Sequence, residues 1–362
     1  MLTFNSLATS IDMDPAATDE ELARAIGEGV RPALLLAWMR RESQGAVAPV
    51  LGTAMRDAAA RESLAARRLD VALAVLRAAG IPSLVLKGAA VSQLCYPEPW
   101  LRPRNDDDVL VPADGFDTAQ AALRDAGYQA APQNPAPEIV GQAHLHLPLG
   151  DGHFHAIDLH ARPLVPAAFC DLPPFETLEA AALPLPAIGP GARGPSAPHA
   201  LLLGCAHRVA HHTPTEDPTW LVDLHLLAER LDDRQWADFA DLAVRSRVAE
   251  VCAAELRRGI STYQTPVPAG VLTRLASVRG EESAAYLVAL GPLYSHWLQF
   301  RHRSGVRARA GMVAHHVLPP RAYMEARFGA GPSYRLPWLY TRRAVMGFGR
   351  WAHEFAQRRR QA

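Results

Sequence analysis

Two short apolar runs on either side of a Lys-Gly pair and an acidic cluster constrain the fold more than any other part of the chain. Leu84-Val-Leu86 has the length of a buried strand, and residues 89–96 can form one or two turns of helix. Three prolines then break the helix, at Pro97, Pro99 and Pro103. A second apolar strand follows and includes Asp106 and Asp108. This order predicts an α/β unit with a small sheet.

The acids and the Lys-Gly pair together predict a site for phosphate chemistry. Residues i and i+2 of a strand share a face, so Asp106 and Asp108 present paired carboxylates while Asp107 points the other way. Paired carboxylates repel unless a cation lies between them, and Mg²⁺ suits such oxygen ligands. Lys87 and Gly88, where a helix begins, favour an anion. Each motif alone also fits a solvated turn; in combination they indicate metal-assisted phosphoryl or nucleotidyl transfer.

Composition limits the class of protein. The 362 residues contain 37 basic and 37 acidic side chains, so we expect no nucleic-acid partner. Lys87 is the only lysine, which hints that an ammonium rather than a guanidinium is needed there. The four cysteines lack metal-ligand spacing, and we expect free thiols, no secretory signal, no membrane span and a cytoplasmic location.

The remaining patterns divide the chain into three predicted parts. Residues 1–80 show helical patterns, with helices predicted from Thr18, over 31–41 and over 50–79, the last ended by Gly80. Residues 81–190 contain the core, including a hairpin of 144–149 and 153–160 around Gly150-Asp-Gly152. Residues 191–362 are a predicted helical domain that follows a Pro/Gly-rich connector over 183–198.

The hairpin is rich in histidine. His144 and His146 on one arm, and His153 and His155 on the other, are best explained as cross-strand stacking, although a metal cluster is the alternative. The end of the chain, from residue 338, mixes apolar and Arg residues and is expected to be a packed terminal helix, with membrane-surface association as the weaker alternative.

These motifs resemble the uncharacterised nucleotidyltransferase family of the polymerase-beta-like superfamily. The resemblance rests on five segments: Leu86-Lys-Gly-Ala89, Tyr96-Pro97, Arg102-Pro103, Asp106-Asp-Asp-Val-Leu-Val111 and Ile157-Asp-Leu-His160. It extends to a His-rich helix from Ala200 and to Trp220-Leu-Val-Asp223, although Asp223 by itself would be taken for a capping or solvated acid. One departure is Asp107, which stands where the family has an aliphatic residue.

The resemblance implies a fold, an activity and a site. The fold is α/β (α+β): a small mixed sheet with helical extensions at both ends. The activity is Mg²⁺-dependent transfer of a nucleoside monophosphate from an NTP to a small-molecule, peptide or protein acceptor. Two metal ions would be held by three carboxylates, Asp106, Asp108 and Asp158. Phosphate or substrate contacts are expected from Lys87, Gly88, Ala89, Arg102, Arg104 and His160.

A second interpretation is open at this stage. The chain would keep the fold but have no turnover, and would bind a nucleotide or peptide as an accessory protein of a natural-product pathway or as an antitoxin-like partner. Asp107 is the residue that favours it. The acceptor, the preferred base and the oligomeric state do not follow from the sequence.

Overall fold

The fold is built on one five-stranded mixed sheet, seen in a computed structural model. The structure describes residues 49–130, 141–150, 152–164, 166–211 and 219–278, and short stretches between 300 and 345. The strands are β1 (Leu84–Leu86), β2 (Asp107–Leu110), β3 (Gln129–Ala130), β4 (Gln142–Gly150) and β5 (His153–His160). Their order is β1-β2-β5-β4-β3; β2 and β5 are parallel, whereas β1/β2 and β4/β5 are antiparallel.

Helices lie before, between and after the strands. Their bounds are α1 (Pro49–Ala78), α2 (Lys87–Cys95), α3 (Phe116–Asp125), α4 (Phe175–Ala180), α5 (Ala197–His211), α6 (Thr219–Ala228), α7 (Asp233–Arg245), α8 (Ala249–Tyr263), α9 (Ala269–Ala276) and α10 (Arg321–Phe328). Short 3₁₀ turns cover Pro99–Leu101, Ala113–Gly115, Ala167–Phe169 and Ser333–Arg335. The predicted connector contains a two-stranded ribbon, β6 (Leu183–Pro184) and β7 (Arg193–Gly194), which the sequence did not indicate.

The alternation of side chains along the strands separates two cores. Val85 and Val109 pack with α1 and α3 on one face of the sheet. Leu84 and Leu110, paired across the same two strands, point to the other face and join the core formed by helices α5 to α8. Because both of its faces are covered, β1 is a continuous apolar run. Asp108 and Asp158 share the second face, so the site develops beside the C-terminal helices.

The predicted helix end at Gly80 is confirmed. Gly80 has φ +74°, and Ile81 N–H donates to the carbonyl of Leu76 at 2.9 Å, so a left-handed glycine closes α1. Gly127 ends α3 in the same way, with φ +97°. Along α1, Leu69 is buried whereas Leu64 is 51% exposed, so the leucines of this helix do not form one continuous buried stripe.

The hairpin forms with one irregularity that the sequence did not predict. Gly150 pairs with His153, but Pro148 pairs with Phe154, so a bulge lies between them. An unbroken ladder from Gly150 would place Leu145 opposite Asp158, whereas the bulge places His144 there. The predicted stacking between the two histidine pairs is wrong for this reason: His144 and His155 lie on opposite faces of the sheet.

The predicted fold class is confirmed. The described residues of 49–129 and 141–278 belong to one compact unit, and those after 299 belong to a second, in which α10 buries Met324 and residues 336–345 are helical. The predicted helices at 18 onward and 31–41 lie outside the described residues, and the three-part division remains a prediction. Among the described helices, none has the length and apolar character needed to cross a membrane.

Candidate active site

The parallel pairing of β2 with β5 sets the centre of the site. Asp108 is registered against Asp158, and Leu110 against His160. Neighbours in register share a face, so both carboxylates and the imidazole point the same way. One ligand atom from each of Asp108, Asp158 and His160 lies within 4.8 Å of the other two. Two strands that are distant in sequence thus bring together three possible metal ligands.

Lys87 completes the cluster from β1. Leu86, the last residue of β1, pairs with Asp108, and α2 begins at the next residue. The Nζ atom of Lys87 donates to Asp108 Oδ1 at 2.6 Å. Lys87 has φ +48°, a left-handed conformation that is costly for a residue with a side chain. Such strain persists only where the surrounding structure enforces it, and it is concentrated at functional sites.

Asp108 is the most strongly paired acid of the cluster. The same oxygen, Oδ1, lies 2.8 Å from His160 Nε2, and the carboxylate can only accept, so Nε2 donates. Burial opposes ionisation, but the Lys87 ammonium and His160 outweigh it and hold the pKa of Asp108 well below its usual range. Asp108 is therefore an anion at neutral pH, as a cation ligand must be.

Asp106 lies one residue before β2 begins, not within it as predicted. It is exposed, unlike Asp108. Partial desolvation of the carboxyl group, followed by the negative charges of Asp108 and Asp158, raises its pKa to about 6. The carboxylates therefore repel one another, as expected of acids that share a cation site.

Two β4 residues contact Asp158 and were not predicted. His144 Nδ1 lies 2.5 Å from Asp158 Oδ1, and Gln142 Nε2 donates to Oδ2 at 3.3 Å. The hydrogen bond to Asp158 raises the pKa of His144 against the opposing effect of burial. Gln142 and His144 are two residues apart on the strand that pairs with Asp158, and this spacing is visible in the sequence. Only the position of the bulge decides which face of β4 they lie on.

Arg102 is engaged with Asp223 inside the protein. Arg102 Nε lies 3.0 Å from both carboxylate oxygens, Nη2 lies 2.8 Å from Oδ2, and Tyr96 also donates to Asp223 at 2.8 Å. The guanidinium lies 5.1 Å from the ring centroid of Trp220. It also occupies the space beside Gly88, where an added Cβ would stand 2.2 Å from Arg102 Nη1. Asp223 is thus neither a cap nor a solvated acid.

Asp107 belongs to a polar network on the opposite face of β2. Its Oδ2 lies 2.8 Å from His155 Nε2, and its Oδ1 forms an ion pair with Arg104 Nε at 2.8 Å. The network extends from His155 to the hydroxyl of Tyr128 at 2.7 Å, and from Arg104 to Glu62 at 3.0 Å. Burial raises the pKa values of Tyr128 and of Glu62. Asp107 therefore has partners for its charge without entering the carboxylate cluster.

The chain matches a known protein family over most of its length. Residues 15–257 match the family described as uncharacterised nucleotidyltransferase, which is more than half of the chain. The chain belongs to this family. No curated protein matches the chain. The family assignment agrees with the resemblance noted from the Lys-Gly and acidic motifs.

The predicted site residues of the chain fall into three groups. Lys87, Asp108, Asp158 and His160 lie in one cluster, and the pKa of Asp106 responds to the charges of that cluster. The two arginines instead make buried ion pairs with other acids of the chain. Gly88 and Ala89 are buried in the first turn of α2. Asp107, the departure from the family pattern, faces away from the cluster. Its presence is therefore not a reason to expect an inactive protein.

The donor set fits a divalent cation. Carboxylate oxygens suit Mg²⁺, and an imidazole nitrogen also suits Mn²⁺ and other transition ions. Besides the donors within 4.8 Å, the buried His160 Nδ1 has no hydrogen-bond partner among the described residues. Such an unpaired nitrogen is unusual in a native interior, and its lone pair could bind an ion or a water molecule.

Proposed function

We propose that this protein transfers a nucleoside monophosphate from an NTP to an acceptor hydroxyl, with release of pyrophosphate. The observation that carries the proposal is the convergence of Lys87, Asp108, Asp158 and His160 at the first turn of α2. An ammonium beside a group of carboxylates supplies what a triphosphate and its counter-ions need.

The carboxylates are proposed to hold the cations. Asp106 and Asp108 would share the ion that accompanies the triphosphate, and Asp158 would hold a second ion on the acceptor side. Two such ions, when bound, neutralise the charge on the transferred group and acidify the attacking hydroxyl. Asp158 is held in place by His144 and Gln142, which fixes the direction in which its oxygens point.

The first turn of α2 is the proposed phosphate site. The cap residue of this nine-residue helix is Leu86, and it makes no side-chain hydrogen bond to the first turn. Amides at an uncapped helix start can bind an anion, and Lys87 adds a positive charge beside them. Gly88 and Ala89 would contribute backbone N–H groups. Arg102 would act indirectly, by supporting the Gly88 backbone from its pair with Asp223.

The test is turnover with each labelled NTP and Mg²⁺ or Mn²⁺, scored as pyrophosphate release and as label on small-molecule, peptide or protein acceptors. Asp108→Asn should abolish release, because it removes a charged cation ligand while preserving shape. Asp114→Asn is the matched control, since Asp114 is an exposed acid just after β2. Equal turnover in both variants and the parent, or no binding of any metal–NTP complex by the parent, would refute the proposal.

A further inference from the structure

The ammonium of Lys87 occupies the position next to Asp108 that a metal ion would need. Its Nζ lies 2.6 Å from Oδ1, and His160 Nε2 approaches the same oxygen at 2.8 Å. The pair is largely enclosed, with 11% of the Lys87 side chain and 8% of the Asp108 side chain exposed. A compact ammonium donating at this distance is electrostatically similar to a bound cation.

We propose that Lys87 is a built-in counter-ion of Asp108 which must leave that oxygen when the metal–triphosphate complex binds, so that metal and triphosphate bind cooperatively. This inference rests on the proposed function and adds to it that Lys87 changes its partner when the two ligands bind. Metal alone must displace the ammonium without giving it a new partner. A triphosphate offers that partner at the start of α2. The free-energy cost of displacing the ammonium is therefore smaller when metal and triphosphate bind together than when the metal binds alone.

The backbone at Lys87 supports an exchange over a short distance. Residue 87 is both the strained left-handed residue and the first residue of α2, so its side chain begins where the first-turn amides point. A four-carbon stem allows the ammonium to move between a carboxylate and a phosphate. Arginine would differ, because its planar guanidinium is larger and binds two oxygens at once.

The first experiment measures Mg²⁺ affinity by calorimetry without nucleotide. Lys87→Met, which keeps the stem and removes the charge, should bind Mg²⁺ at least about tenfold more tightly than the parent, since a neighbouring unit charge at this distance contributes more than one factor of ten. Arg124→Met removes an exposed positive charge on α3 and should leave the affinity unchanged. A Lys87→Met affinity equal to or below that of the parent overturns the inference.

The second experiment uses the unaltered chain. Because Lys87 is the only lysine, lysine-selective ¹³C labelling gives a side-chain NMR signal from one residue. The Lys87 Cε signal should move on addition of Mg²⁺ with ATP, and the position should differ from that in ATP-free protein at saturating Mg²⁺. A signal that stays fixed while calorimetry shows Mg²⁺–ATP binding overturns the exchange but leaves the transferase proposal standing. Absence of binding of every Mg²⁺–NTP complex, with ATP, GTP, CTP and UTP each tried, overturns both.

Discussion

The buried Arg102–Asp223 pair allows a quantitative test of how the site is supported. Both side chains are nearly inaccessible, with 5% and 4% exposed. In Asp223→Asn the shape and the acceptor for Tyr96 remain, but the guanidinium loses its counter-charge. Removing one partner of a buried pair costs about 3–5 kcal/mol, because the remaining charge is left uncompensated. We therefore expect the free energy of unfolding to fall by that amount.

The assay is equilibrium unfolding in urea, with thermal unfolding as a second measurement. A loss of at least about 3 kcal/mol corresponds to a fall in Tm of at least about 4 °C, because the unfolding entropy is about 2.1 cal/mol/K per residue and the chain has 362 residues. Asp241→Asn is the control, because the Asp241–Arg274 pair is exposed and such pairs contribute at most about 1 kcal/mol. The double variant Arg102→Met/Asp223→Asn should be no less stable than Asp223→Asn alone.

The same variants distinguish two possible roles of Arg102: support of the Gly88 backbone and direct binding of phosphate. If Arg102 acts through Gly88, Arg102→Met and Asp223→Asn should weaken NTP binding to a similar extent. If Arg102 binds phosphate itself, only Arg102→Met should do so. The reasoning about the buried pair is refuted if the free energy of unfolding of Asp223→Asn lies within about 1 kcal/mol of the parent value, because a surface pair contributes that little.

Three further predictions concern single positions. Asp158→Ala should retain NTP affinity but lose transfer, as measured by binding and by pyrophosphate release; full activity would remove Asp158 from the mechanism. Gly88→Ala should lose about 1–3 kcal/mol of stability, because its Cβ would meet Arg102, whereas Gly270→Ala, with open space around it, should be close to neutral. Burial raises the pKa of Glu229 from 4.5 to about 7, so the parent should lose stability as pH rises through that range. Unfolding curves of Glu229→Gln should match the parent at pH 4 and show greater stability at pH 8; identical pH profiles would contradict this.

Local sequence patterns were enough to predict the strands and the turn that carry the site. The apolar run before Lys87, the acidic strand and the Gly150–Gly152 turn were predicted because strand periodicity and turn chemistry depend on neighbouring residues. The same alternation places Asp158 and His160 on a shared face of β5. The hairpin partner of Asp158 did not follow, because a bulge shifts the register by one residue and exchanges the faces of β4.

The sequence by itself determined which residues could supply charge: one lysine, the acids of β2, and Asp158 beside a histidine. Only the tertiary structure decided how those charges are paired. Asp223 reaches Arg102 across 121 residues, and Asp107 finds His155 on the face opposite Asp108. No local periodicity encodes such contacts, because they depend on which strands and helices become neighbours when the two cores form on either side of β1 and β2. Burial then removes water as an alternative partner, so each charge must be matched within the protein.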